Sequence, residues 1–255
     1  MGQRGGCFVM GMMAGLVWAL PASGQVNAER FRQDLRDQTV ALKLDSTFLG
    51  QVGNVEGVTL GFGLFGGAHV GRHLAFVRTT ADYARVNDTT TIARTFLHGR
   101  YNMQLWGPWS GEFFAQIQQD RFQRLVSRTL IGLGPRLALF DRKELGLYTG
   151  ISYMFEREVL NVAPDAPDES LTTGQRLSAY LSFSSTLAAS TSTNTVIYYQ
   201  PRLDDWRDTR LLLESSIVQK LTKTVGARLS VTMRHDSRPP TGVKQTDVEI
   251  RNVIE

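Results

Sequence analysis

Two long alternating stretches, Leu125 to Phe140 and Leu145 to Glu158, constrain this chain more than any other feature. The polar turn Asp141-Arg142-Lys143-Glu144 separates them. In the first, Leu125, Ser127, Thr129, Ile131, Leu133, Pro135, Leu137 and Leu139 share a face, opposed by Arg128, Gly132, Gly134, Arg136 and Ala138. In the second, Leu145, Leu147, Thr149, Ile151, Tyr153 and Phe155 oppose Gly146, Tyr148, Gly150, Ser152, Glu156 and Glu158. Period-2 alternation held for about fifteen residues, twice, predicts paired β-strands. Ordinary strands run about five or six residues. Strands this long, greasy on one face and small or charged on the other, suit a barrel wall between lipid and a polar lumen.

The beginning of the chain reads differently. Arg4 supplies a positive start, Cys7 to Leu20 an apolar core, and Pro21-Ala22-Ser23-Gly24 a small-residue junction. Residues 1–24 are expected to be a secretory signal peptide for export through the Sec pathway, with cleavage before Gln25. The single cysteine leaves with it, which excludes disulfides and Cys-ligated metals in the mature chain. Without Arg4 the balance is 27 basic against 24 acidic residues, net +3, with both signs interspersed. That does not argue for nucleic-acid binding. No later apolar run reaches the length of a spanning helix, so any membrane passage is by strands.

Residues 25–38 are expected to form an N-terminal arm or short helix, with Ala28, Phe31 and Leu35 at helical spacing. It rests in the periplasm or enters the barrel mouth; the sequence leaves both open. Residues 39–255 read as strands and turns without a break: 39–51, 55–68, 71–85, 90–105, 108–122, 125–140, 143–158, 175–188, 191–204, 207–220, 223–237 and 245–255. Turn signals such as Gly53-Asn54, Asn87-Asp88, Gly107-Pro108 and Arg238-Pro239-Pro240-Thr241-Gly242 separate them. The longest connections follow strands 7 and 11, while those after strands 2, 4, 6, 8 and 10 are tight. Short turns on one side and longer loops on the other predict an outer-membrane barrel with both termini in the periplasm. The fold class expected is therefore all-β: a single antiparallel transmembrane β-barrel of about 12 strands, in the outer membrane of a Gram-negative bacterium.

Turning the greasy faces outward leaves a charged interior. Its expected lumen-facing charges are Lys43, Asp45, Arg94, Arg100, Glu112, Arg128, Arg136, Glu156, Arg176, Arg210, Glu214, Arg228 and Arg234. Arg78, Asp82, His98, Gln116, Gln118 and Asp120 join them, and Arg128, Arg136, Glu156, Glu214 and Arg228 are expected in one network. Twelve strands lie between eight, where side chains fill the interior, and sixteen, where an aqueous channel remains. A charged pore lining and a lumen filled by cross-strand ion pairs both stand open. Mixed signs indicate no strong selectivity for one ionic sign. Trp106, Trp109, Tyr101, Phe113, Tyr148, Tyr198, Tyr199 and Trp206 are candidates for aromatic girdles.

Two motifs yield to plainer readings. Gly61-Phe62-Gly63-Leu64-Phe65-Gly66 matches the dinucleotide fingerprint literally, but its glycines lie inside a strand rather than at a helix start. His235-Asp236-Ser237 places three triad residue types side by side, yet neighbours on a strand point to opposite faces. No catalytic, cofactor-binding or metal-binding residues are expected, and no cofactor.

Several segments carry a family resemblance: Phe96-Leu97-His98-Gly99-Arg100-Tyr101-Asn102, Glu112 to Gln116, Arg121 to Leu125, Phe155-Glu156-Arg157-Glu158, Tyr198 to Asp205, and Arg234 to Lys244. Together they resemble the salt-induced outer membrane protein family, YdiY-like, a domain of unknown function. The resemblance implies an outer-membrane barrel and a link to salt or osmotic stress. It implies no substrate and no catalytic residues. Such barrels tend to end in an aromatic residue. This chain stops at Ile254-Glu255, so it is either a few residues short or unusual in its insertion signal.

The leading functional expectation is a narrow passive pore or stress-related envelope protein with a charged lumen. The alternative is a plugged structural barrel binding an envelope partner through its extracellular loops, and more remotely a rim enzyme acting on lipid. The partners expected are outer-membrane lipid and, during biogenesis, the barrel-assembly machinery and periplasmic chaperones.

Overall fold

A computed structural model describes Leu35 and residues 39–52, 56–163, 165 and 167–254. The expected signal peptide lies outside the described residues, as does the arm apart from Leu35. Twelve antiparallel strands form one closed barrel: β1 (Val40–Gln51), β2 (Gly57–Val70), β3 (His73–Val86), β4 (Thr89–Gln104), β5 (Trp109–Asp120), β6 (Leu125–Asp141), β7 (Leu145–Leu160), β8 (Leu171–Ala188), β9 (Thr191–Pro201), β10 (Thr209–Lys220), β11 (Gly226–Asp236) and β12 (Thr246–Ile254). Each strand pairs with its sequence neighbours, and β1 closes on β12.

The alternation sets the register. On β7 the inward residues Gly146, Tyr148, Gly150, Ser152, Met154, Glu156 and Glu158 are all buried, while Ile151, Tyr153 and Phe155 are exposed. Across the pairing Tyr148 meets Ser182, Ser152 meets Ser178, and Met154 meets Arg176, so inward residues face inward residues. A one-residue slip would exchange the two faces. Leu97, Phe113, Ile117, Leu133, Leu181, Ile197 and Leu229 are exposed, giving the barrel an apolar outer surface.

All strands share two ends. The terminal end holds the start of β1, the end of β12 and the short turns after β2, β4, β6, β8 and β10. The loop end holds the other connections, including 161–170 and 237–245. At this end Asn87 and Asp88 both take positive φ, 46° and 65°, which suits the tight hairpin between β3 and β4. After β5 the Asp120 carboxylate accepts from the N–H groups of Phe122 and Gln123, capping a single 3-10 turn.

The β1–β12 seam is the thinnest part of the wall. Ser46 pairs with Ile254, so Val40 to Asp45 extend past the end of β12. Irregularities also adjust the faces. Pairing between β6 and β7 shifts between Leu125 and Ser127, and the shift turns Leu125 inward. The strict alternation expected from sequence had placed Leu125 on the greasy face; the bulge inserts the extra residue that reverses it.

Candidate functional site

The barrel interior is the candidate site. All thirteen lumen-facing candidates sit on inward positions. Asp45, Arg100, Glu112, Arg128, Arg136, Glu156, Arg176 and Arg228 are buried; Lys43, Arg94, Arg210, Glu214 and Arg234 are half-buried. Buried charge is tolerated only when paired and hydrogen-bonded, and most of these side chains fall into clusters, two towards the loop end and the rest towards the terminal end.

Towards the loop end, on β6 to β11, Arg128 pairs with Glu158 (Nη2 to Oε2, 2.9 Å). Arg210 reaches over β8 and β9 to Glu156 and Glu158, and pairs with Asp236 on its neighbour β11. Arg176 lies 3.7 Å from Glu156 and donates to Asp208 at 2.8 Å. At the same height on the other side, Arg94 bridges Asp82 (2.8 Å) and Glu249 (3.2 Å). Arg251 joins the same two carboxylates, and Arg234 adds a third contact to Glu249. Arg94 on β4 and Glu249 on β12 are separated by three strands, so this contact spans the lumen as well.

The remaining clusters lie towards the terminal end. Arg78 pairs with Asp45 across β2, and Arg228 stands 3.8 Å from the same carboxylate. Gly63 lies beneath this pair, and a Cβ there would collide with the Arg78 guanidinium. Gly63 of the fingerprint-like motif therefore clears space for an ion pair. Arg100 pairs with Glu112 at 3.2 Å, and Asn102 and Tyr180 donate to that carboxylate. The Arg136 guanidinium lies 3.9 Å from the centre of the Tyr148 ring. Of the residues expected in one network, Arg128 and Glu156 lie towards the loop end and Arg136 and Arg228 towards the terminal end.

Between the groups the interior mixes aromatic and aliphatic side chains with uncharged polar ones. His98 is buried, stacked on Phe96 and Phe114, and touches the Gln116 side chain at 3.1 Å. Phe114, Leu130 and Met154 form one cluster; Tyr180, Val196, Tyr198 and Leu212 form another. Tyr148 and Tyr198 are therefore lumen residues and not part of a girdle: each shares its strand parity with charged inward neighbours. Tyr101, Trp109, Phe113 and Tyr199 are exposed on the outer faces of their strands, and Trp106 and Trp206 are exposed in turns. Sequence reasoning had followed the charges and passed over the apolar filling. The signal was available, since Phe114 stands between Glu112 and Gln116 at period two.

Leu35 is fully buried at the terminal end, against Ala41, Phe65, Leu74 and Phe76. The His69 Nδ1 lies 3.2 Å from its carbonyl oxygen. Leu35 thus lies within the barrel mouth. At the loop end the Asp168 carboxylate accepts from the Thr241 N–H and hydroxyl, linking the two long loops. In the turn before β10, the hydrogen bond from Arg202 holds the Asp204 carboxyl below its usual range, and the Arg207 N–H does the same for Asp205.

The His235-Asp236-Ser237 group is not a triad. His235 contacts Thr246, Asp236 serves Arg210, and the Ser237 hydroxyl donates to the Arg207 carbonyl. Among the described residues no group of three or more His, Cys, Asp or Glu has the arrangement of a metal site.

A family model matches residues 54–252, from the start of β2 into β12. The chain belongs to that family, described as Protein of unknown function, DUF481. Its membership agrees with the resemblance to the YdiY-like domain of unknown function. No curated protein matches the chain in sequence. Among solved structures, the NanC porin superposes with a TM-score of 0.50 at 8% identity, over 84% of this chain and 97% of that one. A bacterial polysaccharide outer membrane secretin gives 0.44 at 9% identity, over 84% and 96%. The outer membrane channel DcaP of Acinetobacter baumannii gives 0.33 at 8%, over 84% and 95%. The DUF481 chain thus shares the barrel fold of the NanC porin.

Proposed function

We propose that this protein is an outer-membrane barrel that acts as a narrow passive pore for ions and small polar solutes, held constricted by ion pairs that cross its lumen. One observation carries the reading: Arg210 bonds to Glu156 and Glu158 over two intervening strands. Side chains that meet across a lumen narrow it, and charged ones leave a hydrated, polar path when they part. The apolar exterior and the barrel fold shared with a porin support the membrane setting. The arginines and carboxylates offer no positioned nucleophile with its base, so passive passage fits the interior better than lipid chemistry at the rim.

Liposome swelling with neutral solutes of graded size tests this. Proteoliposomes should admit the smallest polyols and exclude disaccharides. Swelling no faster than in protein-free vesicles would overturn the pore reading.

A second reading, a plugged barrel serving as a scaffold for an envelope partner, is favoured by Leu35, which closes apolar contacts at the terminal mouth. Under that reading removal of the arm, and not loss of the charges, would start conduction.

A further inference from the structure

The interior charges are not mixed evenly along the barrel axis. Nearer the terminal end the strands turn Lys43, Arg78, Arg100, Arg136 and Arg228 inward, against Asp45 and Glu112. Nearer the loop end Arg94, Arg128, Arg176, Arg210, Arg234 and Arg251 face a larger set of carboxylates. Asp82, Asp120, Glu156 and Glu158 come from one side of the wall, and Asp236, Asp247 and Glu249 from the other. Asp208, from the turn before β10, adds a further acid through its bond to Arg176. Glu214 stands between the halves and Asp141 at the terminal rim. Among the described residues the terminal half therefore carries a formal surplus of positive charge, while the loop half, counting Arg202 at 3.8 Å from Asp208, holds seven basic against eight acidic groups and is slightly negative.

We propose that the lumen is electrically polarised along its axis, and that the pore consequently passes ions asymmetrically. Small anions enter most readily at the terminal mouth, and small cations at the loop mouth. The inference rests on the pore reading above. A narrow passage through a low-dielectric wall focuses the field of its own charges. At about 0.1 M salt the screening length is about 10 Å, comparable with the reach of a side chain into the lumen; at about 1 M it falls to about 3 Å. With the loop side positive, cations are driven in through the acidic half and anions through the basic half. Both carriers accumulate where the halves meet, and conductance rises. With the polarity reversed both are drawn out, the junction is depleted, and conductance falls.

The test is current against voltage for the full mature chain in planar bilayers, in symmetric KCl at about 0.1 M and about 1 M. Sidedness is fixed with an antibody against an epitope inserted after Asp165. The expected result is current about twofold larger with the loop side positive at low salt, and equal in both directions at high salt. The pair Lys43→Gln and Arg228→Gln should lessen the asymmetry while conduction persists. The salt dependence of the unaltered protein decides the matter even where that variant does not fold. Conduction that is ohmic at low salt, or larger with the loop side negative, would overturn the polarised lumen and leave the pore standing. Absence of current at every voltage would overturn both.

Discussion

The Arg210 guanidinium, on β10, lies 3.0 Å from the Glu158 carboxylate on β7, with β8 and β9 between them. The same carboxylate oxygen accepts from Arg128 at 3.0 Å. One acid thus holds two arginines, one from the adjacent strand and one from across the lumen. Glu158→Gln removes the charge both arginines face. Breaking a buried pair by deleting one partner costs about 3–5 kcal/mol, and urea titration in lipid vesicles should show a loss of that order. A surface-like loss below about 1 kcal/mol would mean that water already screens the pair.

The Tyr180 ring lies against Gly150 on the neighbouring strand, where a Cβ would fall inside van der Waals contact. Gly150→Ala should cost about 1–3 kcal/mol through overpacking. In a Tyr180→Ser background the same change should cost little, because the obstructing ring is gone. A double-mutant cycle gives the coupling directly. Additive losses would show that the ring does not rest on Gly150.

Leu133 is 64% exposed on the outer surface of β6. If lipid covers it near the midplane, Leu133→Arg costs about 2–4 kcal/mol, whereas Leu133→Ala leaves no cavity and costs far less. Folding titrations in vesicles compare the two. An arginine tolerated as well as the alanine would place this face in water.

The loop 161–170 and the loop 237–245 are joined through Asp168 and Thr241 at the end opposite the termini. An epitope after Asp165 should be stained on intact cells. One at Arg142, in a terminal-end turn, should be reached only once the outer membrane is breached. The reverse pattern would invert the barrel.

Much of this architecture was legible in the sequence because alternation is a local signal. The twelve strands appear near their expected positions, and β8 shows the largest shift, starting at Leu171 instead of Gln175. What alternation does not encode is an interruption of itself. The shift beside Leu125 turns that residue inward, and nothing in Arg124-Leu125-Val126-Ser127 marks a bulge. Parity also says which face a residue occupies and nothing about height along the barrel. Parity therefore brought the charges of both signs together inside but did not show that Lys43 and Arg228 lie nearer the terminal end and Asp82 and Glu249 nearer the loop end. Height depends on strand offset around the whole wall, which is long-range information. Tyr148 and Tyr198 were misplaced for another reason: aromatic residues were expected at interfaces, but parity had already put them inside. Of the arm only Leu35 is described, and the Phe65 and Phe76 surface it covers exists only in the folded barrel, so its burial could not be read from local spacing.

Single-channel recording of the unaltered protein beside Glu158→Gln, in the same salt, tests the constricted pore most directly. The predicted result is small current steps for the unaltered protein and larger ones for the variant, because Arg210 loses a partner that draws it across the lumen. Large steps identical in the two proteins, or silence in both, would contradict it.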